Sequence, residues 1–260
     1  MVARRKRKSR FLSSHQRSWL WGHNLVSETL AAGRWPILEL VFAEDLAPAV
    51  LDPLVGQAKA LGLRPTLVPR LRLEELVRVR DHQGCIARVG PYPYVAWADL
   101  LARAREPGAL YVVLDGIQDP FNLGAVLRSA EVFGAGGVVL ADSGQTGINS
   151  QVARSSAGAV NRLAIAEVAS IRDALTALAG SGVRAIGTAA DAGQALDEEV
   201  FTGPVALVIG GEGRGLSPEV RDACQALVRV PQRGGLNSLN AAAAAAVCLY
   251  EIDRQRRRST

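Results

Sequence analysis

Lysine is what this sequence most conspicuously lacks. Only Lys6, Lys8 and Lys59 occur among 30 basic residues. Nothing beyond residue 59 can therefore serve as a Walker A, Schiff-base or catalytic lysine, which excludes P-loop nucleotide hydrolysis in the C-terminal half. Cysteine is nearly as scarce: Cys85, Cys224 and Cys248 stand far apart, in no CxxC or other metal-ligand spacing. That argues against a disulfide framework and against a metal site, and it fits buried thiols in a reducing, cytoplasmic compartment. No apolar run reaches the roughly 18 residues that a bilayer span requires, so a soluble protein without a membrane partner is expected. Acidic residues are missing before Glu28.

What is present is unevenly placed. The 260 residues, 48% of them hydrophobic, can bury one large core or two modest ones. RRKRKSR at 4–10 carries six positive charges and Arg254 to Arg258 four more; removing those ten from the net +5 leaves the body at −5. Basic tails at 1–18 and 255–260 on a mildly acidic body suit an electrostatic handle for nucleic acid. A solvated tail without a partner, or an address segment at the N-terminus, are the competing readings.

Between the tails, short apolar runs alternate with helical patterns. Residues 19–89 read as a small α/β layer domain. Gly90-Pro91-Tyr92-Pro93-Tyr94 interrupts regular structure and, with a short helix ending before Pro107-Gly108, makes 90–108 an expected linker. From 109 to 254 six apolar strand candidates with helical crossovers predict a mainly parallel sheet covered on both faces. The predicted last helix covers 238–254.

Three stretches of this second domain are candidates for chemistry. In DGIQDPFNLGAVLRSA, Pro120 stops any preceding element and Asn122 is well placed as a helix N-cap, while Arg128 points away from the apolar stripe. Taken alone, these are a cap and a solvated charge. The run Val205 to Ile209 breaks into Gly210-Gly211-Glu212-Gly213-Arg214-Gly215, which departs from G-x-G-x-x-G and so disfavours a dinucleotide site. A glutamate among glycines suggests a carboxylate held at a strand end beside a pocket lined by backbone. The third stretch, Gly234 to Asn240 followed by six alanines, offers Asn237 or Ser238 as the cap of the last helix and leaves Asn240 unexplained.

In order and spacing, NLGAVLRSA, IGGEGRGLS and VPQRGGLNSLNAA resemble the three motifs of the SpoU-class RNA ribose 2′-O-methyltransferases of the SPOUT superfamily. The resemblance covers 109–254, departing from the family in the alanines that follow SLN. WGHNLVSETLAAG and His82-Gln83-Gly84 are similar to the L30e-like RNA-binding domain of the bacterial 23S rRNA guanosine 2′-O-methyltransferases. The resemblance implies an α/β fold: a C-terminal SPOUT domain with a trefoil knot, after a small L30e-like domain. It implies methyl transfer from S-adenosylmethionine to a ribose 2′-hydroxyl of ribosomal RNA, in particular a 23S rRNA guanosine. A tRNA enzyme of the same class, and a non-catalytic RNA-binding protein on this fold, stay open as alternatives. Asn122, Arg128, Glu212, Ser238 and Asn240 are the implied catalytic positions. Thr188, Ala189, Gly210, Gly211, Gly213, Val230, Ser238 and Leu239 are the implied cofactor-binding positions. No metal is implied, and the partners are RNA and a second copy of the chain, paired through the knotted domain. Arg128 is the family's candidate for activating the hydroxyl; because a guanidinium stays protonated in proteins, the residue chemistry favours an electrostatic role.

Overall fold

The computed structural model describes residues 18–235 and 238–259. The basic segment 4–10 and Asn237 lie outside the described residues. The chain divides into two units, one ending at Tyr92 and including Asn149–Gln151, the other made of Pro93–Ile148 and the chain from Val152 onward.

The first unit is built on four strands, β1 (Trp19–Trp21), β2 (Ile37–Ala43), β3 (Thr66–Val68) and β4 (Cys85–Val89), in the order β1-β4-β2-β3. β4 runs antiparallel to both β1 and β2, and β3 is parallel to β2. Helices α1 (His23–Ala32), α2 (Pro48–Ala60) and α3 (Arg70–Val77) complete it. Strand β1 escapes sequence reading because its three residues, Trp-Leu-Trp, are all buried and show no alternation. Its two indoles pack with Val41, Leu73, Val77 and Ile86. Gly22, at φ 99°, turns the chain from β1 into α1. His82 is buried, and its Nδ1 accepts a bond from the Gly84 amide at 3.0 Å. Desolvation holds its pKa below the ordinary histidine value, so the imidazole is a neutral brace for the turn. The neighbouring Gln83, left-handed at φ 53°, accepts from the His23 amide at 2.9 Å and so fixes the start of α1.

The second unit carries a seven-stranded sheet in which every pairing is parallel. Its strands are β5 (Leu110–Asp115), β6 (Gly137–Ala141), β7 (Ile165–Val168), β8 (Arg184–Thr188), β9 (Gln194–Ala195), β10 (Val205–Gly210) and β11 (Ala226–Arg229). Their order is β7-β6-β5-β10-β8-β11-β9. The central strand β10, VALVIG, is buried at all six positions, as a parallel strand covered on both faces must be. The two-residue β9 is the strand that the sequence pattern missed. Between the strands run α5 (Pro120–Val132), α6 (Ser150–Ser155), α7 (Ile171–Gly180) and α8 (Pro218–Ala223).

Two expected boundaries change. Residues 93–108 are part of this unit: α4 (Trp97–Ala102) buries Leu100 in the sheet core. Gly137 leaves the room, since a Cβ there would lie 2.3 Å from the Leu100 side chain. At the other end, α9 spans Ala241–Ser259 and begins later and ends later than expected, so 255–259 continue the helix. The Arg256 guanidinium explains why they are no loose tail: it donates to the carbonyls of Gly108 at 2.7 Å and Gly203 at 2.8 Å. Among the described residues no helix is long and apolar enough to cross a membrane, and no cluster of side chains is arranged to hold a metal.

Candidate active site

Three neighbouring strands, β10, β8 and β11, end side by side, and the segments leaving them enclose a cavity of about 580 Å³. That volume is in the range of small-molecule and cofactor sites. Thr188 ends β8 and Ala189 follows it. Gly210, Gly211 and Gly213 leave β10, Val230 follows β11, and Ser238 with Leu239 precede α9. All eight line this one cavity, as do Glu212 and Asn240.

The loop after β10 is the tightest element of the site. It folds back so that Gly211 and Gly215 form a bridge, with the Gly215 amide donating to the Gly211 carbonyl at 3.0 Å. A Cβ on Gly210 would sit 2.2 Å from the Gly215 carbonyl carbon, and one on Gly211 would sit 2.2 Å from the Gly116 carbonyl oxygen. Glycine at these positions is thus dictated by neighbouring backbone, that of the returning loop at Gly210 and that of the segment after β5 at Gly211. Past the loop, the Ser217 amide donates to the Asp115 carboxylate at 2.6 Å, tying the start of α8 to the end of β5.

Helix α5 brings the remaining polar group. Its N-cap is Asp119, whose carboxylate accepts from the Phe121 amide at 2.8 Å, with Pro120 as first helical residue. This corrects the expectation that Asn122 caps the helix and frees the Asn122 side chain for another task. Its Nδ2 donates to Glu212 Oε1, and its Oδ1 accepts from Asn240 Nδ2 at 3.0 Å. Asn240 in turn is the cap of α9, accepting from the amides of Ala242 at 2.9 Å and Ala243 at 3.3 Å. Asn240, and not Ser238, therefore does the capping. The direction of the whole chain is forced. Backbone amides can only donate, so Asn240 must turn its oxygen to α9 and its NH₂ to Asn122; Asn122 must then offer its own NH₂ to the carboxylate.

Of the other charged groups of the wall, Asp191, Arg221 and Arg229 are engaged with each other or with the main chain. Asp191 and Arg221 pair at 2.9 Å, and their hydrogen bond lowers the Asp191 pKa and raises that of Arg221. Arg229 donates to the carbonyls of Ala192, at 2.9 Å, and Gly193. Sequence reasoning singled out none of these, and did not see Asp119 either. The Asp119-Pro120 pair was the available signal for that cap, since acidic N-caps followed by proline are a helix-start signature.

Arg128 is the expected site residue that stands apart. It is exposed on α5, six residues beyond Asn122, about 9 Å along the helix axis, and it does not line the cavity. Among the described residues it has no hydrogen bond or ion pair, which leaves its charge available to an external anion.

Residues 109–250 match the family model described as the SpoU rRNA methylase family. The chain belongs to the SpoU rRNA methylase family. Residues 19–95 match a second model, RNA 2′-O ribose methyltransferase substrate binding. This SpoU protein is 40% identical over 241 residues to an uncharacterized tRNA/rRNA methyltransferase of Mycobacterium sp. strain KMS, covering 88% of this chain and 77% of that one. It resembles the crystal structure of an AdoMet-bound rRNA methyltransferase from Sinorhizobium meliloti, with a TM-score of 0.79 and 27% identity over 91% of this chain and 86% of that one. The SpoU methyltransferase AviRb of Streptomyces viridochromogenes, solved in complex with AdoMet, matches with a TM-score of 0.76 and 28% identity, covering 92% of this chain and 90% of that one. The SpoU chain described here is accordingly an RNA methyltransferase with an SPOUT α/β domain.

Proposed function

We propose that this SpoU methyltransferase moves a methyl group from S-adenosylmethionine to a ribose 2′-hydroxyl of ribosomal RNA, in 23S rRNA at a guanosine. The observation that carries this is the polarised chain Asn240–Asn122–Glu212 at the edge of a cofactor-sized cavity. In a parallel sheet the ligand crevice lies outside the carboxyl ends of the strands, at the point where strand order reverses. Here that point is between β5 and β10, whose following segments supply Asn122 and Glu212.

The residues suit the cofactor. Apolar Ile209, Val230, Leu239 and Ala244 share the wall with bare backbone at 210–215 and the Asp191–Arg221 pair, so apolar and charged parts of one ligand can be met together. Thr188, Ala189, Gly210, Gly211, Gly213, Val230, Ser238 and Leu239 would hold it. When bound, it supplies a methyl group on a positively charged sulfur. The protein's share is to orient the ribose through Asn122, Glu212, Ser238 and Asn240, and to meet developing negative charge with Arg128. A fixed hydrogen-bond chain costs no reorganisation when the substrate arrives. The trefoil knot of the family belongs to the same proposal.

A unit dedicated to substrate RNA, matching residues 19–95, supports a folded rRNA substrate over a tRNA. A homodimer is also part of the proposal. Phe121, Ala125, Arg128 and Val132 share one face of α5, and Ala243, Val247 and Tyr250 share one face of α9. Of these, Phe121 is 50% and Tyr250 51% exposed, an apolar surface on two helices that pack against each other. The experiment is mapping of 2′-O-methyl positions in rRNA and tRNA from cells with and without the gene. Loss of one 23S rRNA guanosine methyl is expected. A lost tRNA site would move the substrate assignment, and unchanged maps would remove it.

A further inference from the structure

We propose that Glu212 is the proton acceptor of the reaction, resting on the RNA methyl transfer proposed above. A 2′-hydroxyl that becomes an ether must give up its proton, and few groups here can take it. Five charged side chains line the cavity: Asp191, Glu212, Arg214, Arg221 and Arg229. Three are guanidinium groups, which have no acceptor capacity. Asp191 is already held by Arg221 at 2.9 Å. Histidine and lysine, which serve as bases in many enzymes, do not occur in the second unit: the last lysine is Lys59 and the last histidine His82. No cysteine or tyrosine is among the lining residues. Glu212 is what remains.

Its geometry fits the task. Oε1 accepts from Asn122, and among the described residues Oε2 has no partner. Because the α9 amides set the direction of the amide chain, Asn122 can only donate to Glu212. One oxygen is thereby anchored as an acceptor while the other is left for the substrate. In the step, the O–H bond breaks and its proton passes to Oε2. The oxygen's electron pair forms the new O–CH₃ bond, and the C–S bond breaks with its pair kept by sulfur. The negative charge of the carboxylate and the positive charge of the sulfonium disappear together, so the step leaves the net charge of the cavity unchanged. Arg128, permanently charged and outside the wall, stabilises but does not accept.

The test compares wild type, Glu212→Gln and Glu212→Ala as full-length protein. Glutamine keeps an oxygen for Asn122 and removes the base. Single-turnover methyl transfer to transcribed 23S rRNA between pH 6 and 10 is expected to fall by about 10²–10⁴-fold at neutral pH in Glu212→Gln. Its rate should then climb roughly tenfold per pH unit as hydroxide replaces the missing base, and added formate should partly restore Glu212→Ala. Calorimetric binding of S-adenosylhomocysteine and the melting temperature should match wild type, which separates lost chemistry from a lost site. A Glu212→Gln rate within tenfold of wild type, or a loss that is flat with pH and untouched by formate, overturns the assignment. A wild type that binds S-adenosylhomocysteine yet methylates neither rRNA nor tRNA removes the underlying proposal as well.

Discussion

Gly210 is the position where a single methyl group has the most calculable effect on the cavity. A Cβ there would stand 2.2 Å from the Gly215 carbonyl carbon, 2.4 Å from its oxygen and 2.4 Å from the Leu216 nitrogen. Non-bonded carbon atoms rest at about 3.5–4.0 Å, so the returning backbone must move by more than about 1 Å. The added side chain therefore acts by striking its own loop and not by filling the cavity. The movement opens the Gly211–Gly215 bridge and draws Glu212 away from Asn122. Overpacking of this kind costs about 1–3 kcal/mol; taken wholly from binding, that is a loss of roughly 5- to 140-fold. Gly213→Ala is the informative comparison. Nothing lies within 4 Å of its Cβ, and only its φ of 83° opposes a side chain, a penalty of about 1–2 kcal/mol. Calorimetry with S-adenosylhomocysteine, paired with thermal melting, should show Gly210→Ala impaired at least as much as Gly213→Ala. Affinity of Gly210→Ala within twofold of wild type would refute this account of the loop.

Arg128→Lys should be nearly as inactive as Arg128→Ala, each slower by about 10²–10³-fold with normal cofactor binding, because lysine cannot reproduce a planar two-point contact; a lysine variant that recovers most of the rate at high pH would sink the electrostatic role. Arg256→Ala removes donors to the Gly108 and Gly203 carbonyls and should cost about 2–4 kcal/mol in urea unfolding, and an unchanged midpoint would show that the end of α9 is not held by them. Burial pushes the Cys85 and Cys224 thiols up to about 11 and Cys248 to about 12, so at pH 8 only about one thiol in a thousand is ionised and a disulfide reagent should label the unfolded chain but not the native one. The same shifts carry a sign: above pH 9 the unfolded chain releases thiol protons that the native state retains, so stability should fall as pH rises from 9 toward 11, and a flat denaturation midpoint over that window would contradict it. Finally, wild type should sediment as a dimer of 27.5 kDa chains and Val247→Glu should shift it to monomer, whereas a wild-type monomer at micromolar concentration removes the apolar face from consideration.

The parallel sheet was legible because strands such as Val205–Gly210 are continuous apolar runs, which only a sheet covered on both faces can use. Strand order was not, since it depends on which crossover passes where. β1 and β9 are too short to leave a period. The supposed linker at 90–108 hid Leu100, whose burial depends on the missing side chain of Gly137, a match invisible without the fold. In the site, the motifs located Asn122, Glu212 and Asn240, but local capping rules gave Asn122 the task that belongs to Asp119 and left Asn240 without the one it has. Capping is a short-range property and was open to a better reading of Asp119-Pro120. The bonds joining Asn240 to Asn122 and Asn122 to Glu212 cross 118 and 90 positions and have no local signal.

That span has a consequence in time. During synthesis α5 leaves the ribosome long before the first turn of α9, and Asn122 then has no neighbour to fix its orientation. The substrate-binding unit, complete by Tyr92 but for Asn149–Gln151, can fold while the catalytic unit is still being made. An early chain is thus able to fold one domain yet unable to hold Glu212 in place. Closing so long a loop is also slow. Activity should therefore lag behind the appearance of folded N-terminal structure, and the enzyme is silent toward RNA until its last helix docks.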